Sequence, residues 1–316
     1  PAAFDNKPMR AYNVGPDGLL VDYQALRFTV RPEGDGVRLW SETPSEGLRV
    51  EARLTPVSGP CAGWRDQLRI EPGPGRLAIS GPYPRQCGEQ DLWLAPLAPE
   101  EHVERLFRAL WRELGGSLAG RVRSGSTPPA AQLLTYRESP PLAEIVRDVN
   151  KWSNNVMARQ LFLSLASGEA QPANAARARA RLLAWLRAKG LEFPELVLEN
   201  GAGLSRIERI SAAHLNALLL AAWQSPVMPE FMASLPVAGL DGTLKRRLRD
   251  TPAAGRVHAK TGYLDGVRSL AGYVQDVRGR RYSLVLLINH PEAAAGQAAI
   301  DALVLWVVEG MRRAGG

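Results

Sequence analysis

Residues 150–156 read NKWSNNV and residues 260–262 read KTG, and these two short stretches decide how the rest of the chain is interpreted. The first contains Ser153 and Asn155 at a break between two helical patterns, where Ser and Asn also serve as ordinary helix caps. The second lies at the end of a strand-like run, where a lysine commonly faces solvent. Each motif alone is weak evidence, but the two in this order indicate one site shared by a helix break and a strand.

Helical and strand-like patterns surround these motifs. Apolar residues recur at helical spacing in several stretches that end in glycine or begin with a capping residue, and three later runs alternate between turns that contain Gly and Asp. The pattern predicts an α+β fold in which helices flank an antiparallel sheet. The predicted helices are 100–114, 141–149, 156–166, 174–189, 211–223 and 296–311, and the predicted consecutive strands are 257–261, 269–274 and 282–288.

Residues 31–99 differ in composition from the rest of the chain. They contain 19 of its 54 glycines and prolines and no lysine, which is typical of a loop-rich unit. Residues 48–54 and 68–70 alternate like short strands, and so do residues 19–30 ahead of them. We therefore predict that 31–99 is a small β-rich insert in a larger domain formed by 1–30 and 100–316.

Two cysteines, Cys61 and Cys87, lie 26 positions apart in this insert. A disulfide, two free thiols and a metal site are the alternatives. No further His or Cys stands near them at ligand spacing, so we discard the metal and favour the disulfide over free thiols. A disulfide would indicate an oxidising compartment, which for a bacterial protein is the periplasm.

The charge and hydropathy of the chain exclude two other classes of function. Its formal net charge is +7, but the arginines are scattered among acidic residues, and no basic run is longer than residues 245–247. Nucleic-acid binding is therefore not expected. The longest apolar runs have seven residues, far short of the roughly 20 that cross a bilayer, so no membrane span is predicted.

With both motifs identified, the chain resembles the bacterial D-alanyl-D-alanine carboxypeptidase/endopeptidase family, the class C low-molecular-mass penicillin-binding proteins. The resemblance covers most of residues 4–30 and 100–313 and is specific at ENGAGLSR (199–206) and GLDGT (239–243). It implies a penicillin-binding/β-lactamase-like transpeptidase domain, with 31–99 as a short accessory domain.

The resemblance also implies an activity. It is serine-type D-Ala-D-Ala carboxypeptidase or endopeptidase action on peptidoglycan stem peptides, through an acyl-serine intermediate that penicillin also forms. The implied partners are peptides ending in D-Ala-D-Ala and β-lactam antibiotics, with a homo-oligomer left open. The family implies no cofactor and no metal.

Two residues receive catalytic roles from the resemblance. The Ser153 hydroxyl would relay a proton to the leaving nitrogen, and the Lys260 ammonium would polarise that hydroxyl and attract the terminal carboxylate. His258 lies two residues before Lys260 and hence on the same strand face, so it would either line the pocket or have a structural or solvent-facing role.

Four further residues receive substrate-binding roles. Asn155 would hydrogen-bond the acyl-side amide of the peptide, and the Thr261 hydroxyl would bind its carboxylate. Gly262 would let the substrate approach as an added strand. The backbone N–H of Tyr263 would form half of the oxyanion hole, although the family more often has Ser or Thr at this position.

The first motif of the family, Ser-x-x-Lys, does not occur in the chain. The residues three positions before the five lysines are Phe4, Asp148, Leu186, Gly242 and Val257. Because the motif precedes the stretch resembling residues 4–30 in the family, we expect the nucleophile and its base to lie on a preceding segment. The start of the sequence without methionine agrees with that expectation.

Other enzyme classes fit the sequence less well. There is no G-x-S-x-G elbow for a Ser-His-Asp hydrolase, no metallopeptidase motif and no phosphate-binding glycine loop. The alternative from a different class is a non-catalytic peptidoglycan-binding relative.

Overall fold

The computed structural model describes residues 4–168 and 172–311, and the chain divides into two compact units between residues 135 and 136. The first unit contains β1 (Leu26–Glu33), β2 (Gly36–Ser41), β3 (Arg49–Val57), β4 (Arg69–Gly73), β5 (Arg76–Pro84), β6 (Gln90–Leu94) and α1 (Pro99–Glu113). The second contains α2 (Leu142–Trp152), α3 (Asn155–Ser164), α4 (Ala175–Ala188), α5 (Ala212–Trp223), α6 (Met228–Ser234), β7 (Val257–Leu264), β8 (Val267–Gln275), β9 (Arg281–Asn289) and α7 (Gln297–Val308).

The first unit is built from two three-stranded sheets, ordered β2-β1-β6 and β3-β5-β4. All neighbours are antiparallel except β3 and β5, which run parallel. One apolar core contains residues from both sheets, including the fully buried Phe28, Ile79 and Leu92. The two sheets therefore share a single hydrophobic core.

This division differs from the domain boundaries predicted from composition. Strand β1 pairs with β6 over Leu26–Val30, and its apolar side chains lie in the core of the first unit. By this division residues 4–30 and 100–135, which composition assigned to the larger domain, belong to the first unit together with the β-rich part. The strand is also shorter than the predicted 19–30, because residues 22–24 form a 3-10 turn with positive φ angles.

A disulfide joins Cys61 and Cys87, whose Cα atoms are 5.1 Å apart. This confirms the predicted bond over the alternative of two free thiols. The bond lies at the edge of the same core, beside the buried Trp64 and Tyr83. It therefore fastens the two ends of the segment between the cysteines at this core.

The second unit is a three-layer arrangement around the antiparallel sheet β7-β8-β9. Ile300 and Val304 of α7 pack with Val257 and Leu270 on one face. On the other face Tyr273 packs beside α5 and donates its hydroxyl to Leu219 O at 2.6 Å. The predicted α+β fold with helices flanking an antiparallel sheet is confirmed.

The helices of this unit begin and end close to the predicted positions, with three differences. Helix α7 ends at Val308 instead of 311, because residues 309–311 leave the helix in a turn with Gly310 at φ +82°. Helix α2 continues to Trp152 instead of ending at 149, so Lys151 lies on its last turn. Helix α6, which was not predicted, has only seven residues and starts next to Pro229. In the described part of the chain, every helix is too short or too polar to cross a membrane.

Candidate functional site

A cavity of about 1420 Å³ lies in the second unit beside strand β7. Its walls come from the α2–α3 junction, the 196–210 region, the turn after residue 242 and the end of β7. The six residues that the sequence singled out all line it, namely Ser153, Asn155, Lys260, Thr261, Gly262 and Tyr263.

The α2–α3 junction presents Ser153 to the cavity. Ser153 ends α2 in the left-handed conformation, with φ 54° and ψ 45°, and its N–H donates to Val149 O. Asn154 then caps α3 by accepting a hydrogen bond from Met157 N at 3.0 Å. The capping interpretation of this motif is thus correct for Asn154, whereas Ser153 ends the preceding helix and lines the cavity.

The backbone of Ser153 is strained, because a side chain in the left-handed region costs about 1–2 kcal/mol. We expect the free energy of unfolding of Ser153→Gly to be about 1 kcal/mol higher than that of Ser153→Ala. Both variants lack the hydroxyl, and only glycine relieves the backbone strain. Urea unfolding of the two variants measures the difference. Equal stabilities would show that the junction is not strained at this residue.

Lys260 connects the strand to this junction. Its Nζ donates to Ser153 Oγ at 2.8 Å and to Thr261 O at 2.7 Å. Burial of the ammonium lowers the pKa of Lys260 from 10.5 to about 8. Because the Ser153 oxygen accepts from Lys260, the hydroxyl proton is free to be donated to a third group.

Strand β7 is the edge strand of its sheet, and only its first half is covered. Ala238 N donates to Val257 O at 3.0 Å, and Ala259 N donates to Pro236 O at 2.9 Å. In an antiparallel ladder, alternate residues direct N–H and C=O to the same side. The backbone groups of Thr261 and Tyr263 therefore point away from β8, toward the uncovered edge beside the cavity.

Gly262 is required for a reason that the sequence did not reveal. It pairs across the strands with Ser269, and a Cβ at Gly262 would collide with the Ser269 Oγ. The absence of a side chain thus gives Ser269 room to line the cavity.

Tyr263 presents its side chain outward, with 64% of its surface exposed. The guanidinium of Arg268 lies 3.5 Å from its ring centroid and donates to the carbonyls of Leu264 and Val267, each at 2.7 Å. The ring is therefore held at the rim of the cavity, and the contribution of Tyr263 to the edge is its backbone.

Asn155 is fixed against the opposite wall. Its Nδ2 donates to Ala202 O at 2.8 Å. The loop that carries Ala202 is held by Glu208, which accepts hydrogen bonds from the N–H groups of Glu199, Asn200 and Gly201 at 2.9–3.1 Å. The ENGAGLSR stretch is thus a rigid wall that orients the Asn155 side chain.

His258 is half-buried and is not among the cavity residues. Burial is the main cause that lowers its pKa, and its Nδ1 has no hydrogen-bond partner among the described residues. Of the two roles considered for this residue, the structure agrees with the structural one.

Thr243 and Ser269 also line the cavity but were not among the residues predicted from the sequence. Thr243 Oγ1 lies 3.3 Å from Thr261 Oγ1. Thr243 could have been predicted from the GLDGT stretch, which resembles the family. Ser269 could not, because only its pairing opposite Gly262 brings it to the cavity. Among residues 4–168 and 172–311, no three His, Cys, Asp or Glu side chains group as metal ligands.

Comparison with known proteins places the chain in a family. A sequence model of the D-Ala-D-Ala carboxypeptidase 3 (S13) family matches residues 4–309. D-alanyl-D-alanine carboxypeptidase DacB of Haemophilus influenzae is 29% identical over 217 residues, which are 68% of this chain and 45% of that protein. D-alanyl-D-alanine carboxypeptidase of Actinomadura sp. (strain R39) is 30% identical over 245 residues, 75% of this chain and 45% of that protein.

The fold is similar to a solved structure. The crystal structure of penicillin binding protein 4 (dacB) from Haemophilus influenzae superposes with a TM-score of 0.74 at 23% identity, covering 95% of this chain and 70% of that one. A second structure of that protein, complexed with a novel β-lactam, gives a TM-score of 0.67 at 25% identity over 85% of this chain and 63% of that one. The chain spans less than half the length of the curated relatives it matches.

Proposed function

The chain belongs to the D-Ala-D-Ala carboxypeptidase 3 (S13) family, and from this premise we propose that it supplies the proton relay and the substrate-binding edge of a serine-type D-Ala-D-Ala peptidase. The observation that carries the proposal is the hydrogen bond from Lys260 Nζ to Ser153 Oγ at 2.8 Å, inside a cavity beside an uncovered strand edge. A partly buried ammonium next to a hydroxyl is an arrangement that can deliver a proton and attract an anion.

The proposed substrate is a peptidoglycan stem peptide that ends in D-Ala-D-Ala. The peptide lies along β7, where the Tyr263 N–H donates to the carbonyl oxygen that becomes negative during attack. Asn155 hydrogen-bonds the amide on the acyl side, and Lys260 and Thr261 bind the terminal carboxylate. Gly262 and Ser269 keep this part of the edge free of bulky side chains.

The chemical step forms an ester and breaks an amide. A serine oxygen attacks the carbonyl carbon and its proton passes to a base. As the C–N bond breaks, Ser153 donates its hydroxyl proton to the leaving nitrogen and takes the proton held by that base, so the relay ends unchanged. Water then hydrolyses the acyl-serine. The attacking serine and its base belong to a Ser-x-x-Lys element, which is not among these 316 residues, so the proposal requires that another segment supplies it.

Two further proposals follow from the same site. β-Lactams acylate the same serine, which is supported by the β-lactam complex of the similar penicillin binding protein 4. The Cys61–Cys87 disulfide supports a periplasmic location, because such bonds persist in oxidising compartments.

Labelling with a fluorescent penicillin tests the proposal. The complete gene product, folded by circular dichroism, should carry a covalent label after denaturing electrophoresis, whereas the 316-residue chain should carry none. The acid-denatured gene product is the control for non-specific labelling. A folded gene product that binds D-Ala-D-Ala peptides without taking up label would instead be the non-catalytic peptidoglycan-binding relative.

A further inference from the structure

An ion pair lies behind the site, between the buried Lys151 and the half-exposed Asp241. Lys151 is 9% exposed and lies on the last turn of α2, two residues before Ser153. Its Nζ donates to Asp241 Oδ1 at 2.8 Å, Asp241 Oδ2 at 2.7 Å and Leu235 O at 2.6 Å. These contacts use all three donors of the ammonium, so Lys151 has none left for a substrate.

The acidic partner of this pair fixes the turn that follows it. Asp241 Oδ1 also accepts a hydrogen bond from Val237 N at 2.8 Å. Gly242 has φ +54°, and a Cβ there would lie 2.7 Å from Lys151 O, so the turn packs directly against the end of α2. The ion pair therefore connects the end of α2, which leads to Ser153, with the turn that leads to Thr243. Both Ser153 and Thr243 line the cavity.

Thr243 is the residue that this junction presents to the cavity. Its side chain is exposed, and its Oγ1 lies 3.3 Å from Thr261 Oγ1 on the neighbouring strand. A carboxylate has two oxygens that each accept hydrogen bonds, and two adjacent hydroxyls can donate one bond to each.

We propose that Thr243 is a further substrate-binding residue for the terminal carboxylate of the peptide, and that Lys151 and Asp241 are its positioning residues. This inference rests on the proposed function and assigns a second hydroxyl to the same carboxylate subsite. It predicts that selectivity for a free carboxylate depends on Thr243 directly and on the ion pair indirectly.

The first experiment measures hydrolysis by the complete gene product of two peptides, one ending in D-Ala-D-Ala with a free carboxylate and one with a carboxamide. Thr243→Val keeps the shape of the side chain and removes the hydroxyl. We expect kcat/KM for the free acid to fall about 10-fold with little change for the amide, because a hydrogen bond to a charged group is lost. Thr243→Ser should restore the preference.

The second experiment tests the positioning residues. Asp241→Asn leaves Lys151 buried without a counter-charge, and we expect the preference for the free acid to fall together with Tm. Arg280→Met is the matched control, because Arg280 Nε donates to the buried Asp276 at 2.7 Å in the β8–β9 turn, away from the cavity residues. It should lower Tm and leave the preference unchanged.

The outcomes separate this inference from the function on which it rests. A wild-type protein that hydrolyses neither peptide would overturn the proposed function and the inference together. If the wild type prefers the free acid and Thr243→Val keeps that preference, the role of Thr243 is refuted while the proposed function stands. If Asp241→Asn lowers only Tm, as Arg280→Met does, the ion pair has no positioning role.

Discussion

Replacement of Lys260 by alanine in the complete gene product is expected to lower the rate of penicillin acylation by about 100- to 1000-fold. The Nζ of Lys260 is the group that donates to Ser153 Oγ, and the variant removes both that bond and the positive charge beside the carboxylate subsite. Loss of one preorganised electrostatic group in a buried site typically has an effect of this size. The measurement is the second-order rate constant for labelling with a fluorescent penicillin.

The matched control for this variant is Lys189→Ala, which removes an exposed lysine at the end of α4. It should label at the wild-type rate. Lys260→Ala should be at least as stable as the wild type at pH 7, because it removes a charge whose burial disfavours folding. Burial lowers the pKa of Lys260, so its charged form disfavours folding below about pH 8, and that penalty is relieved as the pH rises toward 10.5. Unchanged labelling of Lys260→Ala would remove Lys260 from the site.

The pH profile gives a second readout of the same group. Because Lys260 has a pKa of about 8, acylation should decline as the pH rises through that value and the ammonium loses its charge. Lys260→Arg retains its charge and should have a profile without that decline. A wild-type rate that increases through pH 8 would show that the neutral amine is the active form, contrary to the mechanism proposed here.

Removal of the Cys61–Cys87 disulfide is expected to lower the unfolding free energy of the first unit by about 3 kcal/mol. The bond closes a loop across 26 positions, and in the chain-entropy model a loop of this length restricts the unfolded chain by about that amount. The change is the double variant Cys61→Ala/Cys87→Ala. The measurement is urea unfolding of this variant against the oxidised wild type.

Reduction provides the control for that comparison. The wild type in excess dithiothreitol should unfold at the same urea concentration as the double variant, because both lack the cross-link. The mass of the alkylated protein should increase by two labels only after reduction. Two thiols that react without reduction would contradict the bond, and equal stability of all three forms would contradict its role.

Much of the second unit was predictable because its elements are determined by local interactions. The apolar spacing of α4, its Asn174 cap and the glycine after it act within a few residues, so the pattern located the helix closely. The three strands of the sheet follow one another along the chain and are joined by short turns, so their antiparallel order also followed from the sequence. The short α6 carries too few residues for such a signal.

The family and the six candidate site residues were also accessible from the sequence, because NKWSNNV and KTG are contiguous motifs. The distances between the side chains of these residues were not accessible from the sequence. Lys260 and Ser153 are 107 positions apart, and only the packing of the sheet edge against the α2–α3 junction brings their side chains to 2.8 Å. The order of the motifs predicts which residues share a site, but it does not predict which atoms donate hydrogen bonds to which acceptors.

The sequence by itself determined the helical and strand periods, the family motifs and the pair of cysteines, since each depends on residue identity over short spans or on a count. Only the tertiary structure decided that β1 joins the β-rich unit, that Gly262 makes room for Ser269, and that Lys151 is neutralised by Asp241, 90 positions away. These contacts arise from burial and pairing between distant segments, whose free energies depend on the whole packed unit and leave no local pattern in the chain.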